Sequence, residues 1–278
     1  MQTFKQFLSE SRTAVVGVEA FIKWADTNAK VYMSGPKFLY RGGSGDGEKG
    51  LRLGSSLGGL PRKSANTYNN YTLWFDNHPM FKDWPKRSQA WIAADDRDIA
   101  QGFGSAALLI VHDEAKIGVV GDRDLWDAET KISNMTIEEF NQVSESLMTD
   151  KHDTYPELVS ALKNIDLEDV QRHVEDEGDQ SSSIASLYKY MKRLKLDNLY
   201  EAWEAVMTPS LFLRNTTGAQ VGNHDSDGEV WIEGEVGFIP TIGRMKEADA
   251  KRIMEWADQY PELLEELQEH WNAPDWND

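Results

Sequence analysis

Short apolar strands stand toward both ends of this chain and enclose a long helical block, and few folds allow that order. Runs at Lys37–Arg41, Ala90–Ala94, Ala107–His112 and Ile117–Val120 read as strands, and the pattern resumes at Glu229–Ile232 and Val236–Ile239. Between them, from Thr136 to Met207, apolar residues keep helical spacing: Leu158, Leu162 and Ile165, then Leu187, Tyr190 and Met191. Thr136-Ile-Glu-Glu139 has the form of a capping box, with Thr136 as N-cap and Glu139 three residues on. Strands split by an inserted helical segment give an α+β class. The expected organisation is an N-terminal helix over 1–26 and a single α+β domain over 27–278 with a helical insertion at 135–207. One or two acidic helices, over Met245–Tyr260 and Pro261–Trp271, are expected at the end.

Composition narrows the function. With 40% hydrophobic residues and ten tryptophans in 278 residues, the chain can build a real core, which argues against bulk disorder. It has no cysteine, so disulfides, thiolate zinc sites and cysteine nucleophiles are excluded. The net charge of −18 repels nucleic acid phosphate and disfavours nonspecific binding to it. The same charge admits a second role, that of an acidic inhibitor occupying a host nucleic-acid enzyme. No apolar run reaches the ~20 residues of a membrane helix, so no membrane partner is expected.

Three places carry chemistry. Arg41 ends an apolar strand and presents a fork of donors suited to a phosphate or carboxylate, or to a strand-end salt bridge. Arg62-Lys-Ser64-Ala-Asn66-Thr offers cations and hydrogen-bonding side chains to a pyrophosphate, or forms a polar turn. Glu229 opens the strand Glu-Val-Trp-Ile with Asp227 two residues before it, either as a working carboxylate or as a solvated one. Other patterns are set aside. Gly45-Asp-Gly-Glu-Lys-Gly50 satisfies G-x-G-x-x-G but leads into Leu51-Arg-Leu-Gly, a poor helix former. Asn223-x-Asp225-x-Asp227-Gly228 begins like a calcium loop but has Gly234 at its twelfth position, where a glutamate is needed. The histidines have no metal-ligand spacing, and no metal is expected.

Taken in order, Phe38-Leu-Tyr-Arg41-Gly, then Trp91 to Gly104 with Ala100-Gln-Gly-Phe103, then Asp227-Gly-Glu229-Val-Trp-Ile resemble the motif series of ADP-ribosyltransferases. The resemblance implies a small split mixed sheet and NAD as substrate. It implies that Arg41 binds NAD, that Glu229 stabilises the ribosyl cation and that Asp227 serves the acceptor. Arg62, Ser64 and Asn66 would assist in binding NAD. One departure matters: Ile92, Ala93 and Ala94 stand where the family has its Ser-Thr-Ser strand, unless Ser88 substitutes. The first residues, Met1 to Glu10, resemble the capsid-targeting tags of internal head proteins in T-even-type tailed phages, with Leu8-Ser9-Glu10 matching the maturation protease site. Phe4, Phe7 and Leu8 otherwise read as one face of an amphipathic first helix. Together these imply a phage protein that modifies a host protein acceptor and works in the virion interior or the host cytoplasm. A catalytically inactive internal virion protein of the same fold is the alternative.

Overall fold

The computed structural model describes residues 13–43, 49–57, 69–120, 125, 128–148, 152–177, 183–208, 213–223 and 228–272. The chain divides into two compact units: Met1–Arg62 with Trp84–Val120 and Asn215–Asp278, and Lys63–Asp83 with Gly121–Arg214.

The first unit is organised by one sheet. Its strands are β1 (Thr13–Val15), β2 (Leu39–Gly43), β3 (Arg52–Ser55), β4 (Trp91–Ala94), β5 (Ser105–Val111), β6 (Lys116–Val120), β7 (Leu213–Thr217), β8 (Glu229–Glu233) and β9 (Glu235–Ile239). Their order across the sheet is β1-β3-β9-β5-β2-β4-β8-β6-β7. The pairings β1–β3, β3–β9, β9–β5, β5–β2, β2–β4, β4–β8 and β8–β6 are all antiparallel. The expected mixed sheet is therefore corrected. A parallel pair needs a crossover that returns the chain in the same sense, and none of these neighbours is joined in that way.

The sheet is weakest between β2 and β4, where the single pair Tyr40↔Ala94 holds the strands together. It curls there. The Trp91 ring on β4 meets the Phe238 ring on β9 edge-on with centroids 5.4 Å apart. In the sheet order those strands lie three spacings apart, roughly 14 Å if the sheet were flat. The Trp91 indole also donates to the Gly234 carbonyl at 3.3 Å, which ties the curl shut. The concave face holds Leu109, Val111, Val230, Ile232, Val236 and Phe238, all buried. On the outer face lie α1 (Val18–Asn28), α4 (Arg97–Gln101), α10 (Glu247–Ala257) and α11 (Pro261–Asn272). Gly237 makes room for α1, since a Cβ there would come 2.7 Å from the Phe21 ring. Phe21 packs in turn on Trp256 of α10.

One N-terminal expectation is corrected. Thr13–Val15 is strand, not helix; it pairs with β3 as Thr13↔Gly54, Ala14↔Leu53 and Val15↔Arg52, and helix begins only at Val18. A β-branched residue beside a partner edge gains more from pairing than from one more helical turn. Arg52–Ser55 forms β3 between β1 and β9. The tag at 1–10 lies outside the described residues.

The second unit is helical: α3 (Asn70–Asn77), α5 (Ile137–Leu147), α6 (Tyr155–Lys163), α7 (Leu167–Glu177), α8 (Ser183–Leu194) and α9 (Leu199–Val206), with α2 (Lys30–Met33) belonging to the first unit. The Thr136–Glu139 capping box closes in both directions, at 3.2 and 2.9 Å. A second box, Thr154 with Glu157, starts α6. Trp203 stands at the centre, packed on Trp74 and Phe140, and its indole donates to the buried Ser144 hydroxyl at 3.0 Å.

Candidate functional site

The three motif strands are neighbours, in the order β2-β4-β8. Directly opposed residues share a face, so Tyr40, Ala94 and Glu229 stand in one row on the outer face. Adjacent strands are spaced roughly 4.8 Å apart, so Tyr40 and Glu229 are separated by roughly 10 Å with only the small Ala94 between them. Side chains alternate along a strand, so Arg41 points to the opposite, concave face, the face of Trp91, Ala93 and Val230. The guanidinium of Arg41 donates to the Ile92 carbonyl at 2.5 Å, and its Cζ lies 5.5 Å from the centre of the Trp91 ring. By this register Arg41 and Glu229 project from opposite faces of the sheet.

Glu229 meets a different cation. Its Oε1 accepts the Trp231 indole N–H at 2.6 Å and pairs with Arg87 Nη2 at 3.1 Å. Arg87 also lies over the Trp231 ring, 5.7 Å from its centre. Only 8% of Glu229 is exposed, so it is not a solvated loop carboxylate. Local structure puts Arg87 there. The Lys86 N–H donates to the Glu233 carboxylate at 2.9 Å, and Gln89 and Ala90 turn back onto the Lys86 carbonyl just before β4 begins. Arg87 was missed because Pro85-Lys-Arg-Ser88 reads as a polar turn; the available signal was a cation placed immediately ahead of a motif strand. Ser88 is buried next to it.

Asp227, Arg62, Ser64 and Asn66 lie outside the described residues, as do residues 224–227 of the calcium-like loop. Among the described residues no cluster of His, Asp and Glu is suited to a metal ion. No helix among them is long and apolar enough to cross a membrane.

The helical unit holds a polar cluster of its own. His78 Nδ1 accepts the Met80 N–H at 3.2 Å, so Nε2 carries the proton and faces Glu204 Oε1 at 3.3 Å. The Tyr200 hydroxyl donates to the same carboxylate oxygen at 3.0 Å, and Trp74 stacks on the imidazole with ring centres 4.2 Å apart. Burial lowers the His78 pKa from its ordinary value, and Glu204 opposes that shift. The histidine caps the turn Pro79–Phe81 and joins it to α9, a structural role.

Comparison with family models, with curated proteins and with solved structures gives no match.

Proposed function

We propose that this chain is an ADP-ribosyltransferase-like phage protein that keeps the strand layout of the activity without turning NAD over, and that it serves as an internal virion protein delivered to the host. The layout is supported by the adjacency of β2, β4 and β8, although the helical block intervenes in sequence between the second strand and the third. The register carries the loss of turnover. Cleaving the nicotinamide bond requires a carboxylate facing the developing ribosyl cation while a cationic group holds the phosphates of the same molecule. Arg41 and Glu229 on opposite faces do not share one dinucleotide in that way. Ile92, Ala93 and Ala94 bring no hydroxyl to the intervening strand. Virion packaging is supported by the tag-like sequence ending at Glu10.

A second reading, a mono-ADP-ribosyltransferase acting on a host protein through Glu229 and Asp227, is favoured by the setting of Glu229. A carboxylate fixed by an indole N–H and a guanidinium is preorganised. Incubation of the wild type and Glu229→Gln with labelled NAD and host lysate separates the two. The expected outcome is neither label transfer nor NAD hydrolysis above the blank for either protein. Transfer by the wild type that disappears in Glu229→Gln would establish the second reading. Mass spectrometry of purified particles tests packaging, with a chain trimmed after Glu10 as the expected product.

A further inference from the structure

The outer face beside Tyr40 gathers polar groups that the fold does not use. α11 buries the stripe Leu263, Leu267 and His270, so an imidazole sits where helical spacing calls for another aliphatic residue. His270 is 1% exposed, yet neither ring nitrogen makes a hydrogen bond. The backbones of Ile239 and Pro240 lie close enough to the ring to oppose the fall in its pKa, and the Pro240 carbonyl accepts the Trp271 indole at 3.1 Å. The His270 ring packs on Tyr40 with centres 5.6 Å apart, and the Tyr40 hydroxyl donates to Glu266.

α4 contributes the remainder. Asp96 caps it by accepting the N–H groups of Asp98 and Ile99, and the helix lies so close over β2 that a Cβ at Gly42 would come 2.0 Å from the Ala100 carbonyl. Gly42 and Tyr40 share the outer face, so α4 sits beside the Tyr40 ring. Arg97 and Gln101, four residues apart, fall on one side of this helix. The Nε and Nη2 of Arg97 and both amide atoms of Gln101 are buried without a partner. Arg97 is near enough for its charge to act on the His270 ring. These three side chains leave six buried polar atoms unpaired, which is destabilising if nothing meets them.

The chemistry of the set selects a ligand. Nε and Nη2 form the edge by which arginine grips two oxygens at once. Arg252 uses that same edge on the Glu19 carboxylate, at 2.7 and 3.3 Å. Gln101 adds a donor and an acceptor, and a neutral His270 adds one of each. We propose that Arg97, Gln101 and His270, beside Tyr40 and between α4 and α11, form a binding site for an oxyanion, the carboxylate or phosphate group of a small ligand whose neighbouring hydroxyl is met by the amide and the imidazole. This site goes beyond the reading above, and its fate does not depend on whether NAD is turned over.

The test is a titration of protein carrying ¹⁵N-labelled histidine with inorganic phosphate, and separately with acetate, at constant ionic strength. A saturable shift of the His270 ring signals is expected with at least one of them, and the responding arm identifies the oxyanion class. Arg97→Met should weaken binding by roughly tenfold or more. Arg97→Lys should also weaken it, because it keeps the charge and loses the two-pronged edge. Gln101→Leu provides the same comparison should Arg97→Met fail to fold. No saturable shift with either anion up to about 10 mM, or equal affinity in all variants, would overturn the proposal.

Discussion

A carboxylate that is 8% exposed and held by two donors is part of the fold whatever else it does, and Glu229 is such a group. Its neighbours explain why the opening residue of a strand can be charged: Trp231, two residues on, shares its face, and Arg87 closes the pair from the segment before β4. Gly42 is constrained in a different way. A methyl group there would run into the Ala100 backbone, which cannot move without lifting α4 from the sheet. Gly42→Ala should therefore cost about 2–4 kcal/mol, measurable by urea unfolding. His270 sets a pH dependence. Burial, and then the charge of Arg97, lower its pKa to about 4 from the ordinary 6.5. The unfolded chain takes up this proton near 6.5 and the folded chain only near 4, so stability is full above 6.5 and is lost as pH falls toward 4. Glu266 acts in the opposite sense. Burial, and then Glu269, raise its carboxyl to about 6 from 4.5, so the folded state gains from a proton that is given up as pH rises across that narrower window. His270→Phe should remove the acid-side loss, shrinking the stability difference between neutral pH and pH ~4 by up to about 3 kcal/mol, read by urea unfolding at both values.

At the scale of elements, the sequence was legible wherever one element explained its own pattern. The Thr136 capping box, the apolar run of β5 and the two closing helices need only local spacing, and each formed near its expected place. What escaped depended on partners distant in sequence. Arg52-Leu-Gly-Ser is a strand because β1 and β9 flank it, and its buried guanidinium rests over the Phe238 ring, 5.0 Å from its centre. Thr13–Val15 is a strand because β3 offers it an edge. In the candidate site, Arg41 and Glu229 were legible as charged strand residues, but their faces were not, since one residue of register decides which way a side chain points. Arg87 and His270 were hidden in a polar turn and an acidic helix. The second unit permits a direct check of local encoding. Thr136→Ala should cost about 1 kcal/mol by removing one arm of the capping box, seen as a lower urea midpoint with an unchanged slope. Trp203→Ala removes the ring packed between Trp74 and Phe140 and should cost roughly 3–5 kcal/mol in the same assay.

Over the whole molecule, the net charge of −18 works against compactness, because like charges repel across the folded surface. Added neutral salt should raise the melting temperature at neutral pH by screening that repulsion, and no rise on going from low to physiological ionic strength would contradict this. In the sheet, β2, β4 and β8 lie side by side, with Glu229 held to Arg87 on the face turned away from Arg41. The most direct measurement is a double-mutant cycle on unfolding free energy, comparing the wild type, Glu229→Gln, Arg87→Met and the double variant. Glu229 held as a structural partner predicts a clear loss of stability in Glu229→Gln and a coupling of about 1–3 kcal/mol between the two sites. A Glu229→Gln protein as stable as the wild type or more so, with no coupling to Arg87, would contradict it and mark Glu229 as a group kept for chemistry rather than for the fold.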